Sequence, residues 1–159
     1  MKGIVRASLI LAGFIAVLSI VVQVSGLNSN FMLSQMIFLV GAIVLNVGVV
    51  IWALRKTADA NGYPGQVAQS AGIGVVGGLL ITLVSWLLLS VVFPDAIAEM
   101  RAGAVAYLDS AGLPPEDHAK QMEALDKATP MSQSIPGGVG TFVTSLVTGA
   151  VFGIFARRK

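Results

Sequence analysis

The sequence predicts an all-α membrane protein: a bundle of four transmembrane helices with a helical hairpin outside the membrane between the third and fourth helices. Three observations predict this fold class. First, 55% of the 159 residues are hydrophobic and only 11% are charged, against about 25% charged in an average soluble domain. Second, the charges occupy short windows, which leaves long apolar runs between them. Third, a charged segment with helical periodicity, residues 94–137, separates the last two apolar runs.

Four apolar segments are long enough to be transmembrane helices. About 20 residues of α-helix cross the ~30 Å hydrocarbon core of a bilayer. Polar or turn-forming residues separate the segments, as at 27–30, where the sequence is Leu-Asn-Ser-Asn. The predicted spans of this single membrane domain, 1–159, are residues 7–25, 31–54, 67–93 and 138–156.

The first span has an alternative interpretation as a cleaved signal peptide. Lys2 and Arg6 precede the apolar run, and the small residues at 24–26 (Val-Ser-Gly) follow it, which is the order of a secretory signal. The apolar run is longer than the usual central region of about 7–15 residues. A retained transmembrane helix is therefore favoured.

The distribution of Lys and Arg predicts the orientation of the bundle. Segments 1–6, 55–66 and 157–159 together contain seven of the ten Lys and Arg residues and one acid, Asp59. Segment 94–137 contains the other three cations and seven of the eight acids, a balance of −4 against +6. Because Lys and Arg accumulate in cytoplasmic loops, we expect both termini and the 55–66 loop to be cytoplasmic and segment 94–137 to lie outside.

The outer segment has the pattern of two short helices, at 95–109 and 115–129. Pro115 suits a first helical position, and the acids that follow it suit the positive end of a helix dipole. Glu116–Lys120 and Glu123–Lys127 are i,i+4 pairs in the favourable order, each contributing about 0.2–0.5 kcal/mol. The sequence therefore predicts a helical hairpin here.

Small residues at four-residue spacing indicate where the spans pack. Lipid is as apolar as leucine, so membrane helices associate through close backbone packing and interhelical hydrogen bonds. One ladder lies in the third span and one in the fourth, each with a GxxxG pair, and a weaker one in the first (Ser8, Ala12 and Ala16). The helix-packing residues are Ser70, Gly74, Gly78, Thr82, Thr141, Ser145, Gly149 and Gly153. We expect the third and fourth spans to touch, although the same faces also suit a second copy of the chain.

Few residues in the spans offer chemistry. The predicted spans contain no Asp, Glu, Lys or Arg, the residues that mark ion and proton paths in membranes. Asn46 is the deepest polar candidate, and an interhelical hydrogen bond is favoured over a substrate contact. With no Cys and a single histidine, His118, the chain lacks the usual zinc, haem and iron–sulfur ligand sets. We therefore predict no catalytic, cofactor-binding or metal-binding residues, and no cofactor.

Several short motifs resemble those of a known family. They are 62–66 (Gly-Tyr-Pro-Gly-Gln) before the third span, 93–95 (Phe-Pro-Asp) after it, 112–116 (Gly-Leu-Pro-Pro-Glu) between the hairpin helices, and the Gly-rich 149–153 before the basic 157–159. In this pattern the chain resembles a bacterial family of four-span inner-membrane proteins of unknown function. The resemblance implies a periplasmic helical hairpin between spans three and four, and it brings no activity with it.

These patterns predict a non-enzymatic membrane protein, and the family resemblance implies that its membrane is the bacterial inner membrane. The leading hypothesis is a small structural or accessory subunit of a membrane assembly. The alternative is a small-solute or ion transporter or channel formed by oligomerisation, which the glycine ladders permit and the charge-free spans disfavour. The expected partners are the lipid bilayer and either a larger membrane complex or further copies of the chain, and we expect no nucleic acid.

Overall fold

The computed structural model describes residues 1–26 and 31–155. Within them the chain forms helices α1 (Lys2–Val24), α2 (Phe31–Lys56), α3 (Tyr63–Leu87, continued by a π-helical turn at Leu88–Val92), α4 (Ala96–Ser110), α5 (Pro115–Asp126) and α6 (Pro130–Phe152). Helices α1, α2, α3 with its π turn, and α6 are long and apolar enough to cross a membrane. The predicted all-α fold with four apolar helices is confirmed. Two predicted features, the polar break at 27–30 and the basic segment 157–159, lie outside the described residues, as does residue 156 at the end of the predicted fourth span.

Proline sets the boundaries around the outer hairpin. The π turn ends at Val92, and Phe93, directly before Pro94, caps it by donating its amide to Leu88 O at 2.8 Å. Proline disfavours helical backbone at the residue that precedes it, and Thr129, before Pro130, is accordingly extended with φ −127° and ψ 159°. Because Thr129 is extended, α5 cannot reach the predicted end at residue 129. It ends at Asp126.

Helix α6 begins at Pro130, whereas the apolar pattern places the start of the fourth span at residue 138. A capping box starts the helix: Thr129 Oγ1 accepts from the Ser132 amide at 3.1 Å, and Ser132 Oγ accepts from the Thr129 amide at 2.9 Å. The usual box has Glu or Gln at the third helical position, and the serine here makes the signal easy to miss. The helix continues through Pro136.

Helix α3 is central to the bundle. It makes the most extensive contact with α6 and the next most extensive with α1, while α2 packs against α1 and α6. The apolar core lies where α1, α2 and α3 meet, with Leu11, Val50, Leu54 and Ile73 fully buried. Outside the bundle, α4 contacts α2, and α4 and α5 make few contacts with each other.

Candidate functional site

Helices α3 and α6 approach each other closely at Gly78 and Gly138. A Cβ atom added at Gly78 would lie 2.7 Å from the Gly138 carbonyl oxygen, and one added at Gly138 would lie 2.8 Å from the Gly78 carbonyl oxygen and overlap Thr82 Oγ1. Real Cβ atoms essentially never come this close to another atom. At this point the two helices are in backbone contact, which only glycine permits.

The same contact runs along both helices in antiparallel order. A Cβ atom at Gly74 would lie 3.0 Å from Ser145 Cβ, and one at Gly149 would overlap the side chain of Ser70. One turn further, a Cβ atom at Gly153 would lie 3.3 Å from the Cβ atom of the α3 residue facing it, Gln66. We call this antiparallel surface the α3–α6 seam; it joins the two small-residue ladders within one chain.

Thr141 is placed differently from the other ladder residues. Its methyl group lies 3.7 Å from the position of a Cβ atom on Gly77, and its hydroxyl donates to Gly137 O in its own helix at 2.8 Å. Gly138 takes the place opposite Gly78. In the first span, Ser8 is buried and donates to Ile73 O at 3.3 Å, so α1 packs against α3 beside the seam.

Asn46 connects α2 to the seam. Its side chain is 3% exposed. The amide nitrogen donates to Thr141 O at 3.1 Å, and the amide oxygen accepts from Ser145 Oγ at 3.0 Å. Both ends of the amide are thus engaged with α6, in the arrangement of an interhelical hydrogen bond. Bonds of this kind in membranes contribute about 0.6 kcal/mol on average and up to about 1.7 kcal/mol.

A cluster of amide side chains, which the sequence analysis does not predict, joins α2 to α3 at the end of the bundle that contains Lys56 and Tyr63. Gln69 Oε1 accepts from Thr57 Oγ1 at 2.6 Å and from Asn61 Nδ2 at 3.1 Å. Gln69 Nε2 donates to Ala53 O, and Gln66 Nε2 donates to Leu54 O, both at 3.3 Å. Thr57, Asn61, Gln66 and Gln69 form what we call the amide cluster. Its two glutamines donate to carbonyls in the last turn of α2, which also accept from Thr57 directly after the helix.

Two further features belong to this end of the bundle. Gln66 is fully buried, and its Oε1 atom has no hydrogen-bond partner among the described residues. Tyr63 donates its hydroxyl to Ala150 O in α6 at 3.1 Å. The start of α3 is therefore bonded to α2 on one side and to α6 on the other.

The outer hairpin is built in another way. Helix α4 buries Ala96, Ala104 and Leu108, whereas every residue of α5 is at least partly exposed. The helices are joined by an Arg101–Asp126 ion pair and by a contact of His118 Nε2 with the carboxylate of Asp109 at 3.0 Å. Between α4 and α5 lies an open groove of about 710 Å³.

The predicted i,i+4 pairs are present on α5. Lys120 Nζ lies 2.8 Å from Glu116 Oε1, and Lys127 Nζ lies 2.6 Å from Glu123 Oε1. These pairs are exposed, so each contributes little to stability. Within residues 1–26 and 31–155, no three His, Asp or Glu side chains come together as a metal site.

A family model described as "Protein of unknown function (DUF4199)" matches residues 6–158, nearly the whole chain. Searches of curated proteins and of solved structures find no match to this sequence.

Proposed function

The chain belongs to DUF4199, a family of unknown function, and we propose that it acts as a non-enzymatic structural or accessory subunit of a membrane assembly. The observation that carries this proposal is the contrast between the bundle and the hairpin. The polar groups of Asn46 and Ser145 bond to each other inside the bundle, whereas the hairpin leaves an apolar groove open. A subunit that inserts by its spans and binds by its hairpin has this distribution of surfaces.

The proposal includes a location and an orientation. We propose the bacterial inner membrane, as the family resemblance implies. We propose both termini to be cytoplasmic and the hairpin periplasmic, because most Lys and Arg residues lie in the terminal segments and the 55–66 loop. The first helix is retained in this proposal, because Ser8 and Leu11 are fully buried in α1 and lie against α3.

Cysteine accessibility tests the orientation without interference, because the chain has no native cysteine. A single cysteine at Gly112 should react with a membrane-impermeant maleimide in intact cells. A single cysteine at Ala58 should react only after the membrane is opened. If Ala58→Cys were labelled in intact cells and Gly112→Cys were not, the orientation would be the opposite of the one proposed.

The experiment on function is a comparison of two proteins purified from the same membranes. In the variant, residues 96–128 are replaced by a Gly/Ser linker, so that Thr129 still caps α6. We expect the full chain to recover a larger complex in stoichiometric amounts and the variant to recover none. Cysteine mapping of the variant shows whether four spans are still inserted. Equal recovery of the same partners by both proteins would overturn the proposed function.

The oligomeric transporter is the second candidate, and one observation favours it. At Gly13, Gly48 and Gly140, no atom beyond the neighbouring backbone of the same helix lies within 4 Å of where a Cβ atom would be, so they leave room for a second copy to approach closely. Mass measurement in nanodiscs separates the two candidates. A homo-oligomer without other proteins supports a pore or carrier, and a monomer within a larger complex supports the subunit.

A further inference from the structure

The two helices of the outer hairpin are connected by polar side chains and not by a shared apolar core. The Asp109–His118 contact lies near the turn at Gly112, and the Arg101–Asp126 pair lies towards the other end. Both cross from α4 to α5. They hold the helices side by side while leaving the space between them unfilled.

That space is lined mainly by apolar side chains. On α4 these include Ile97, Ala102, Val105 and Ala106, and α5 contributes Leu125. Small alanines and one valine on the floor leave room for the larger side chains of another molecule. Helix α4 has 15 residues, so the groove floor is about 22 Å long at ~1.5 Å per residue. A helix of similar length fits such a floor.

The charge around the groove indicates the chemistry of its occupant. Each of the three cations of segment 94–137 is paired with an acid of the same segment, so the net charge of −4 rests on the remaining acids. Two charged side chains line the groove: Arg101, which is paired with Asp126, and Asp109, which contacts His118. At about 100° per residue, Asp95 falls on the same side of α4 as Ala102 and Ala106, and it has no ion pair among the described residues, so the uncompensated charge beside the groove is negative. An occupant with positive charge on its flank is favoured there.

We propose that this groove binds an amphipathic helix of a partner protein, with its apolar face against α4 and Lys or Arg along its flank. The inference rests on the proposed function and names the kind of partner surface involved. Helix-in-groove recognition uses apolar anchors at i, i+3, i+4 and i+7, and complementary charge steers the encounter.

Two other occupants fit less well. A second copy in the same orientation presents its own acidic hairpin, since its basic segments 1–6 and 55–66 lie at the opposite end of the bundle. An anionic lipid surface is repelled by the same net charge. The basic helix is the occupant that satisfies both the apolar floor and the negative charge beside the groove.

Two synthetic peptides of about 15 residues serve as probes. Both have leucines on one helical face; the first has lysines on its flanks and the second has glutamates. The protein is placed in nanodiscs of zwitterionic lipid, labelled at a single cysteine introduced at Ala111, an exposed residue of the hairpin turn outside the groove lining, and titrated with each peptide. Empty nanodiscs report peptide that binds lipid alone.

We expect the lysine peptide to bind at least 10-fold more tightly than the glutamate peptide, and more weakly as salt rises. Ala102→Trp, which fills the groove, should weaken binding at least 10-fold, whereas Ala119→Trp, an exposed α5 alanine outside the groove lining, should leave it within 2-fold. Equal binding of the two peptides, or equal effects of the two tryptophans, would overturn the inference.

The deletion of residues 96–128 and the Ala102→Trp variant together separate this inference from the proposed function. If loss of residues 96–128 abolishes recovery of partners and Ala102→Trp leaves it intact, the hairpin binds through another surface and only the groove inference fails. If loss of residues 96–128 leaves recovery intact, the proposed function itself fails.

Discussion

The α3–α6 seam and the outer hairpin are two helix pairs of one chain that associate in opposite ways. Along the seam, backbones touch at Gly78 and Gly138, and Asn46 bonds across to α6 at both ends of its amide. In the hairpin, one ion pair and one histidine–carboxylate contact join the helices, and an apolar groove stays open.

The contrast follows from the two solvents. In lipid, burying leucine against leucine gains little, so small residues and hydrogen bonds hold the helices together. In water, a helix pair of this size has little core, and exposed ion pairs contribute about 0–1 kcal/mol. We therefore expect the seam to contribute most of the stability of the molecule and the hairpin to bind partner proteins.

The largest expected effect comes from filling the seam. Gly78→Leu has no space for its side chain and should lower the free energy of unfolding by about 3 kcal/mol or more, as overpacking does in a tight interface. Unfolding by SDS titration measures the change.

The matched control is Gly140→Leu, in α6 two positions after Gly138, where nothing lies within 4 Å of the added Cβ. It should change the free energy of unfolding by less than about 0.5 kcal/mol. Equal effects of Gly78→Leu and Gly140→Leu would show that the seam has no special role.

The amide cluster should give the next effect. Gln69→Leu removes three hydrogen bonds, those to Thr57 Oγ1, Asn61 Nδ2 and Ala53 O. The Thr57 hydroxyl keeps its bonds to Ala53 O and Leu54 O, and we expect a loss of about 2 kcal/mol. Gln66→Leu should cost less, because it removes one hydrogen bond together with an acceptor that has no partner among the described residues. The same SDS titration ranks them, and the reverse order would contradict the bonding described for this cluster.

A smaller effect is expected at Asn46. Asn46→Leu should lower the free energy of unfolding by about 1 kcal/mol, since interhelical hydrogen bonds in membranes are modest. A double-mutant cycle with Ser145→Ala isolates the pair, with an expected coupling of about 0.6 kcal/mol. A coupling of zero would mean that the Asn46–Ser145 bond does not hold α2 against α6.

The smallest effect on stability is expected in the hairpin. Arg101→Ala should change the free energy of bundle unfolding by less than about 0.5 kcal/mol, yet it should broaden the distance distribution between spin labels at Ala106 and Ala119. Lys120→Ala, whose pair lies within α5, should leave that distribution unchanged. Identical distributions in the two variants would show that the cross-helix pair does not position α5.

The helices were predictable because their signals are local. Apolar runs of the right length gave the four spans, and Glu–Lys pairs with Pro115 gave α5. The start of α6 at Pro130 was not predicted, because Ser132 occupies the position where the capping box usually has Glu or Gln.

The partners of the ladders were not predictable, since each small-residue face fits a second copy as well as a neighbouring helix. The exact register also drifts: four residues advance a helix by about 400°, so a ladder turns by about 40° at each step. That drift moves Thr141 towards Gly77 and leaves Gly138 against Gly78. Gln66 lies four residues before Ser70 and so continues the ladder of the third span. This spacing is visible in the sequence, but it is easily overlooked because Gln66 follows directly after a polar turn.

Photo-crosslinking in native membranes tests most directly whether the hairpin, and not the spans, binds partners. A benzophenone amino acid is placed at Ala106 or Ala119 in the hairpin, or at Val75 or Val143 on exposed faces of the spans. The hairpin positions should crosslink to the protein that co-purifies with the full chain, and the span positions should crosslink to lipid alone. Crosslinks to that protein from Val75 or Val143, with none from the hairpin, would contradict the account.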